Sequence, residues 1–168
     1  QLYEHWLGEP EVLRRFAKHY KTGEAMPEEL IARIKASENF DMGFSTVEFL
    51  ASALVDLALH EGPPPADPMQ AQAELLDKLG MPAAIAMRHA LPHFAHVFAG
   101  DGYASGYYSY MWSEVMDADA FEAFRETGDI FDAETATRLR RDILSAGNAQ
   151  PAEAAYTAFR GRMPGVEA

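Results

Sequence analysis

The sequence predicts an all-α fold, a multi-helical lobe, on three observations. Prolines stand where helices begin, at Pro10, Pro27, Pro82 and Pro151; apolar residues follow at spacings of three and four; and no two alternating segments joined by a turn suggest paired strands. With 168 residues, 48% hydrophobic and 24% charged, the chain has globular composition, and 1–168 is expected to form one helical unit.

Helices are predicted over 10–20, 27–38, 46–61, 68–79, 103–126, 132–146 and 151–160. The third starts with a capping box, Ser45-Thr46-Val47-Glu48, and runs through Phe49–Leu59 with apolar residues on nearly every side, so it is expected at the centre of the core. Asp56 within it is assigned to structure, bonding a helix end or a basic side chain. The stretch Gly62-Pro63-Pro64-Pro65-Ala66-Asp67-Pro68 cannot continue a helix and forms a surface connection. Gly147 is placed to close the helix over 132–146 in the left-handed conformation.

Net charge excludes one class of partner. With 14 Lys and Arg against 26 Asp and Glu, the formal charge is -12, and no basic stripe is available to displace counterions from nucleic acid. The absence of cysteine removes disulfides, thiolate metal sites and a cysteine nucleophile, and it fits a reducing, cytoplasmic location. The longest apolar run, Phe49–Leu59, is interrupted by Ser52 and Asp56 and falls short of the roughly 18 residues of a membrane span. Opening on Gln1-Leu2-Tyr3-Glu4-His5-Trp6, the chain is expected to be a piece of something longer.

Chemistry concentrates between Arg88 and Trp112, which holds His89, His93 and His96 of the six histidines and Tyr103, Tyr107, Tyr108 and Tyr110 of the seven tyrosines. If Tyr103 onward is helical, Tyr103, Tyr107 and Tyr110 fall at about 0°, 40° and -20°, one stripe of phenols. Tyr108, Trp112 and Val115 make a second stripe, expected to face the core, while Ser105, Gly106 and Ser109 leave room beside the first. Gly100 and Gly102 flank a turn in which the backbone approaches a ligand or flexes around one. Phenol hydroxyls donate to a carbonyl oxygen as it becomes an oxyanion, and His96 is placed to hold a substrate carbonyl or carboxylate. A metal triad of His89, His93 and His96 is disfavoured, because Pro92 interrupts the helical spacing and Ala90 stands where a zinc peptidase carries its glutamate. Dinucleotide, phosphate-loop and nucleophile-elbow motifs are missing from the sequence.

The segment His96–Trp112 resembles the signature H-x-F-x-G-x-Y-x-x-x-Y-Y-x-Y-x-W of the zinc peptidases that include thimet oligopeptidase and dipeptidyl carboxypeptidase. Asn39–Phe44, Leu144–Asn148 and Phe159–Pro164 are similar to other segments of that family, so the resemblance covers nearly the whole chain. It implies a helical lobe bordering a substrate channel, with zinc held by an H-E-x-x-H helix and a later glutamate, neither of which this sequence contains. In that family the later glutamate precedes a Pro-Ser-Gln segment whose Gln matches Gln1, whereas Glu4 and His5 match positions beyond the ligand and are taken as ordinary helix residues. By the same resemblance His96 and Tyr103 contact substrate, Tyr107 lines the cleft and Tyr110 stabilises the oxyanion. The stretch Phe98–Tyr108 is closer to the dipeptidyl carboxypeptidase branch, implying release of carboxy-terminal dipeptides from short peptides; an oligopeptidase and a non-catalytic helical peptide-binding module are the alternatives. The isolated chain is expected to be inactive and to self-associate through surface that the remainder of the protein covers.

Overall fold

The computed structural model describes residues 1–165, and within them regular structure is almost entirely helical. In chain order the α-helices are α1 (Glu4–Leu7), α2 (Pro10–Phe16), α3 (Glu28–Ser37), α4 (Met42–His60), α5 (Pro68–Lys78), α6 (Ala95–Phe98), α7 (Ser109–Arg125), α8 (Ala133–Arg138) and α9 (Ala152–Arg160). A 3₁₀ turn over Leu91–His93 precedes α6, and a π-helical stretch over Leu139–Leu144 continues α8. One isolated antiparallel bridge, Lys18 with Ala25, is the β-like pairing among the described residues.

Contacts divide the chain into two compact units, one of residues 1–37 with 111 onward, the other of residues 38–110. In the first, α9 turns Ala155, Tyr156 and Phe159 inward, and Tyr156 and Phe159 meet Ala120, Ala123 and Phe124 of α7 and Leu139. Trp6 packs edge-on to Phe121 and Phe124, with centroids at 4.6 and 5.0 Å, while its indole N–H donates to the Ile130 carbonyl at 2.8 Å. His5 stacks on Phe121 and bonds Asp117 at 2.9 Å, which occupies it in packing.

In the second unit the core is Val55, Met87, Leu91, Phe94 and Val97, flanked by Leu59, Leu75 and Leu76. Asp67 caps α5 by accepting from the amides of Met69 and Gln70, with Pro68 at the first helical position. Gln72 of α5 accepts from the Leu91 amide at 3.0 Å and so ties the 3₁₀ turn to that helix.

Several boundaries differ from the sequence expectation, each for a local reason. Helix α2 stops at Phe16 because residues 17–26 fold back as a hairpin-like turn, with His19 N–H bonded to the Glu24 carbonyl and Gly23 at φ +73°. Pro82 opens a turn closed by the Ile85 amide, with no helix after it. Helix α4 begins at Met42, so Ser45 is already inside it: its amide bonds the Asp41 carbonyl at 2.9 Å, and no capping box forms. At 19 residues α4 is long and apolar enough, by length and composition, to cross a membrane, contrary to the shorter run expected. Its burial is also one-sided, for Ala51, Ser52, Ala53, Val55 and Asp56 are buried while Val47, Leu50 and Leu54 are exposed. Gly147 does take a positive φ, +52°, after the π-helical stretch.

Candidate functional site

From Val47 on, helix α4 carries a polar residue every fourth position, Glu48, Ser52, Asp56 and His60, one stripe on an otherwise apolar stretch. Each member reaches a different part of the second unit. Glu48 pairs with Arg88 at 3.4 Å, and Ser52 Oγ lies 3.1 Å from His89 Nδ1. Asp56 is 0% exposed, and its carboxylate accepts the Ser105 amide on Oδ1 at 3.1 Å and the Tyr107 amide on Oδ2 at 3.0 Å. His60 Nδ1 sits 3.0 Å from that Oδ1 and 2.8 Å from the Asp56 carbonyl oxygen. His60 also stacks on Phe98, and both line an apolar cavity of about 530 Å³ together with Leu59, Met69, Leu91 and Pro92.

Asp56 thus bonds the segment that leads into α7. Ser105 adopts φ +57°, which a helix cannot contain, and the Gly106 amide closes a turn onto the Tyr103 carbonyl at 3.0 Å. A Cβ on Gly106 would stand 3.1 Å from that carbonyl oxygen, so Gly106 fills a tight approach where the sequence suggested spare room. The helix expected from Tyr103 consequently starts at Ser109, and the single helical stripe of Tyr103, Tyr107 and Tyr110 does not exist in that form.

The three phenols meet nonetheless, around His96 on α6. The imidazole of His96 lies 4.7 Å from the Tyr103 ring, 5.9 Å from Tyr107 and 5.9 Å from Tyr110, centroid to centroid. Tyr110 Oη is 3.1 Å from His96 Nε2, within hydrogen-bond distance. Tyr107 is the anchored member: it stacks on Phe49 at 5.1 Å, meets Phe94 edge-on at 4.9 Å, and brings its hydroxyl to 3.5 Å from both ring nitrogens of His89. Burial pushes the Tyr107 phenol above its ordinary pKa, so it stays protonated and able to donate. Burial, with help from the Arg88 guanidinium and His96, pushes His89 below the usual imidazole value, keeping it neutral behind Tyr107.

Exposure separates the cluster's members by role. Tyr110 is 39% exposed and Tyr103 and His96 face solvent, whereas Tyr107 is half-buried. Gly100 and Gly102 lie in the turn after α6 with nothing within 4 Å of where a Cβ would be, so they leave open space at its edge. The second stripe does not face the core: Tyr108, Trp112 and Val115 are exposed, Trp112 by 65%, because the buried residues of α7 all lie in its second half, from Asp119 to Phe124. Asp56 takes the structural role expected of it, bonding the amides that lead into α7 and the basic His60. Sequence reasoning missed the parts played by Ser52 and His89, although the four-residue polar repeat along α4 is a signal for Ser52.

Residues 1–168, the whole of this chain, match the sequence profile of Peptidase family M3. The chain belongs to that family. Its curated M3 relatives include dipeptidyl carboxypeptidase of Escherichia coli K12, 36% identical over 171 residues, covering 99% of this chain and 25% of the relative. Oligopeptidase A of the same organism is 38% identical over 172 residues, covering 100% and 25%. An organellar oligopeptidase A of Arabidopsis thaliana is 38% identical over 173 residues, covering 99% and 22%. This M3 chain thus spans about a quarter of the length of the curated relatives it matches.

Proposed function

We propose that this chain is the substrate-binding and oxyanion-stabilising part of a zinc metallopeptidase that hydrolyses short peptides and releases carboxy-terminal dipeptides. The observation that supports it most is the 3.1 Å approach of Tyr110 Oη to His96 Nε2, with the rings of Tyr103 and Tyr107 packed around the same imidazole. Tyr110 turns its hydroxyl from His96 to the scissile carbonyl oxygen as negative charge develops there, and so contributes most in the transition state. His96 and Tyr103, both exposed, contact the peptide, while Gly100 and Gly102 keep the adjoining backbone accessible to it. Tyr107, buttressed by His89 and Phe94, keeps the wall in place.

Among the described residues no group of three His, Asp, Glu or Cys side chains is placed to hold a metal ion, so these residues do not fit a zinc site. Zinc and the attacking water are assigned to the part of the protein outside this chain, in keeping with relatives about four times as long. By itself the chain is then inactive and prone to self-association, which the exposed Trp112, Phe40 and Phe16 favour. A cytoplasmic location accords with the absence of cysteine.

Relatives named oligopeptidase A match as well as those named dipeptidyl carboxypeptidase, which favours cleavage inside the peptide as the second reading. The full-length protein is to be assayed on one peptide with its carboxy terminus free and amidated. Removal of two residues from the free form alone supports the dipeptidase; equal cleavage of both forms supports the oligopeptidase. No hydrolysis of either overturns the peptidase reading.

A further inference from the structure

We propose that Asp56 is the positioning residue of this site: through the amides of Ser105 and Tyr107 its buried carboxylate imposes the turn that gathers Tyr103, Tyr107 and Tyr110 at His96. The consequence for turnover rests on the function proposed above; the consequence for the turn does not.

A carboxylate that is 0% exposed needs compensating donors, and Asp56 takes two of them from the backbone of one short segment. That segment has an alternative. From Tyr103 onward the sequence carries helical spacing, and in a helix the Tyr107 amide would bond the Tyr103 carbonyl. In the structure the Tyr107 amide belongs to Asp56, and the Tyr103 carbonyl accepts from Gly106 at 3.0 Å instead.

Ser105, at φ +57°, occupies a region costing a non-glycine residue roughly 1 kcal/mol or more, and such a conformation persists where its surroundings over-determine it. Both carboxylate oxygens supply that determination, one to the strained residue and one to the residue two further on. His60 fixes the carboxylate in turn, with Nδ1 3.0 Å from Oδ1, so the orientation of Asp56 comes from its own helix. Asp56 acts on this segment through the backbone amides of Ser105 and Tyr107.

The test uses the full-length protein and two variants, Asp56→Asn and Ser105→Pro. The first turns one acceptor oxygen into a donor facing an amide; the second leaves the buried carboxylate alone but removes the Ser105 N–H and forbids its positive φ. Both are expected to speed amide exchange across 103–108 while leaving α9 protected as in the wild type. Turnover of a free-carboxylate peptide should fall roughly 100-fold, with KM within about threefold, because the phenols are misplaced by ångströms with the binding surface still present. Unchanged exchange at 103–108 in both variants overturns the proposal, as does full turnover once the turn has loosened. If Asp56→Asn exposes all of α4, Ser105→Pro decides alone. A wild type that cleaves no peptide defeats the peptidase reading, and the exchange measurement still judges the anchor.

Discussion

Asp119 and Asp56 are both carboxylates with almost no exposure, 1% and 0%, and they are satisfied by opposite kinds of donor. Asp119, in the first unit, takes charged and phenolic side chains: Arg160 Nε at 3.1 Å, an Arg162 nitrogen at 2.8 Å and the Tyr156 hydroxyl at 2.7 Å. Arg160 is clamped further by Glu126 in a bidentate pair at 2.7 and 2.6 Å. Asp56 takes two backbone amides and an imidazole. The first arrangement ties α7 to α9 and to the segment after it; the second selects one conformation of a turn. Long flexible cations can reach a carboxylate from many backbone arrangements, whereas an amide bond specifies φ and ψ at the donor itself.

The same contrast holds for the phenols. Tyr156 is buried with its hydroxyl against Asp119 and the Met116 carbonyl, and desolvation with the bond to Asp119 drives its pKa far up. Tyr110 is 39% exposed and shares its hydroxyl with an exposed histidine. A cavity of about 760 Å³ lies beside Asp119, larger than the one lined by His60, yet Asp119, Glu126 and Arg162 on its wall are already held in ion pairs. Volume alone therefore favours the first unit, whereas the site proposed above rests on an accessible phenol hydroxyl in the second.

The contrast can be broken most sharply at Asp119. Asp119→Ala leaves Arg160, whose side chain is only 8% exposed, without its buried partner. Loss of about 3 kcal/mol or more is expected by denaturant unfolding, with α9 losing exchange protection first and 103–108 keeping it. A loss under about 1 kcal/mol would put Asp119 among ordinary surface pairs.

Tyr110→Phe comes next. In the full-length protein it should lower kcat roughly 100-fold with KM nearly unchanged, since the hydroxyl acts on charge that appears only in the transition state. Equal turnover would remove Tyr110 from the chemistry and leave it a packing residue like Tyr156.

The smallest effect concerns His89, whose pKa is depressed by burial first and by Arg88 and His96 next, with Glu48 opposing. A base depressed in the folded state stabilises the fold above its ordinary value of 6.5, and that contribution is lost as pH falls through the lowered one. Unfolding measured between about pH 7.5 and 5 should therefore show stability falling with pH in the wild type, and falling less in His89→Gln. Parallel curves would show that His89 is solvated and does not buttress Tyr107.

How much could be read beforehand varied with the distance over which each residue's partner lies. Helices α3, α5 and α9 match their expected ranges closely because the signals are local: proline at or beside the start, Asp67 as a cap, apolar spacing of three and four. His96, Tyr103, Tyr107 and Tyr110 were legible as a group because they lie within fifteen residues of each other. Their route to one another was misjudged, since the partner of the Tyr107 amide sits 51 residues away. Helical phase alone puts Trp112 in the core, yet α7 is buried only further along, from Asp119 to Phe124, and phase does not record how far along a helix its packing partners reach.

By itself the sequence determined the helical class, the acidic net charge, and the identities of the imidazole and the three phenols. Only the tertiary structure decided that Tyr103–Tyr108 is a turn and not the first turns of a helix. Helical spacing specifies what a segment does when its amides have only their own carbonyls to bond. A buried carboxylate from α4 offers those amides a different acceptor, and nothing local to the segment records that it is there.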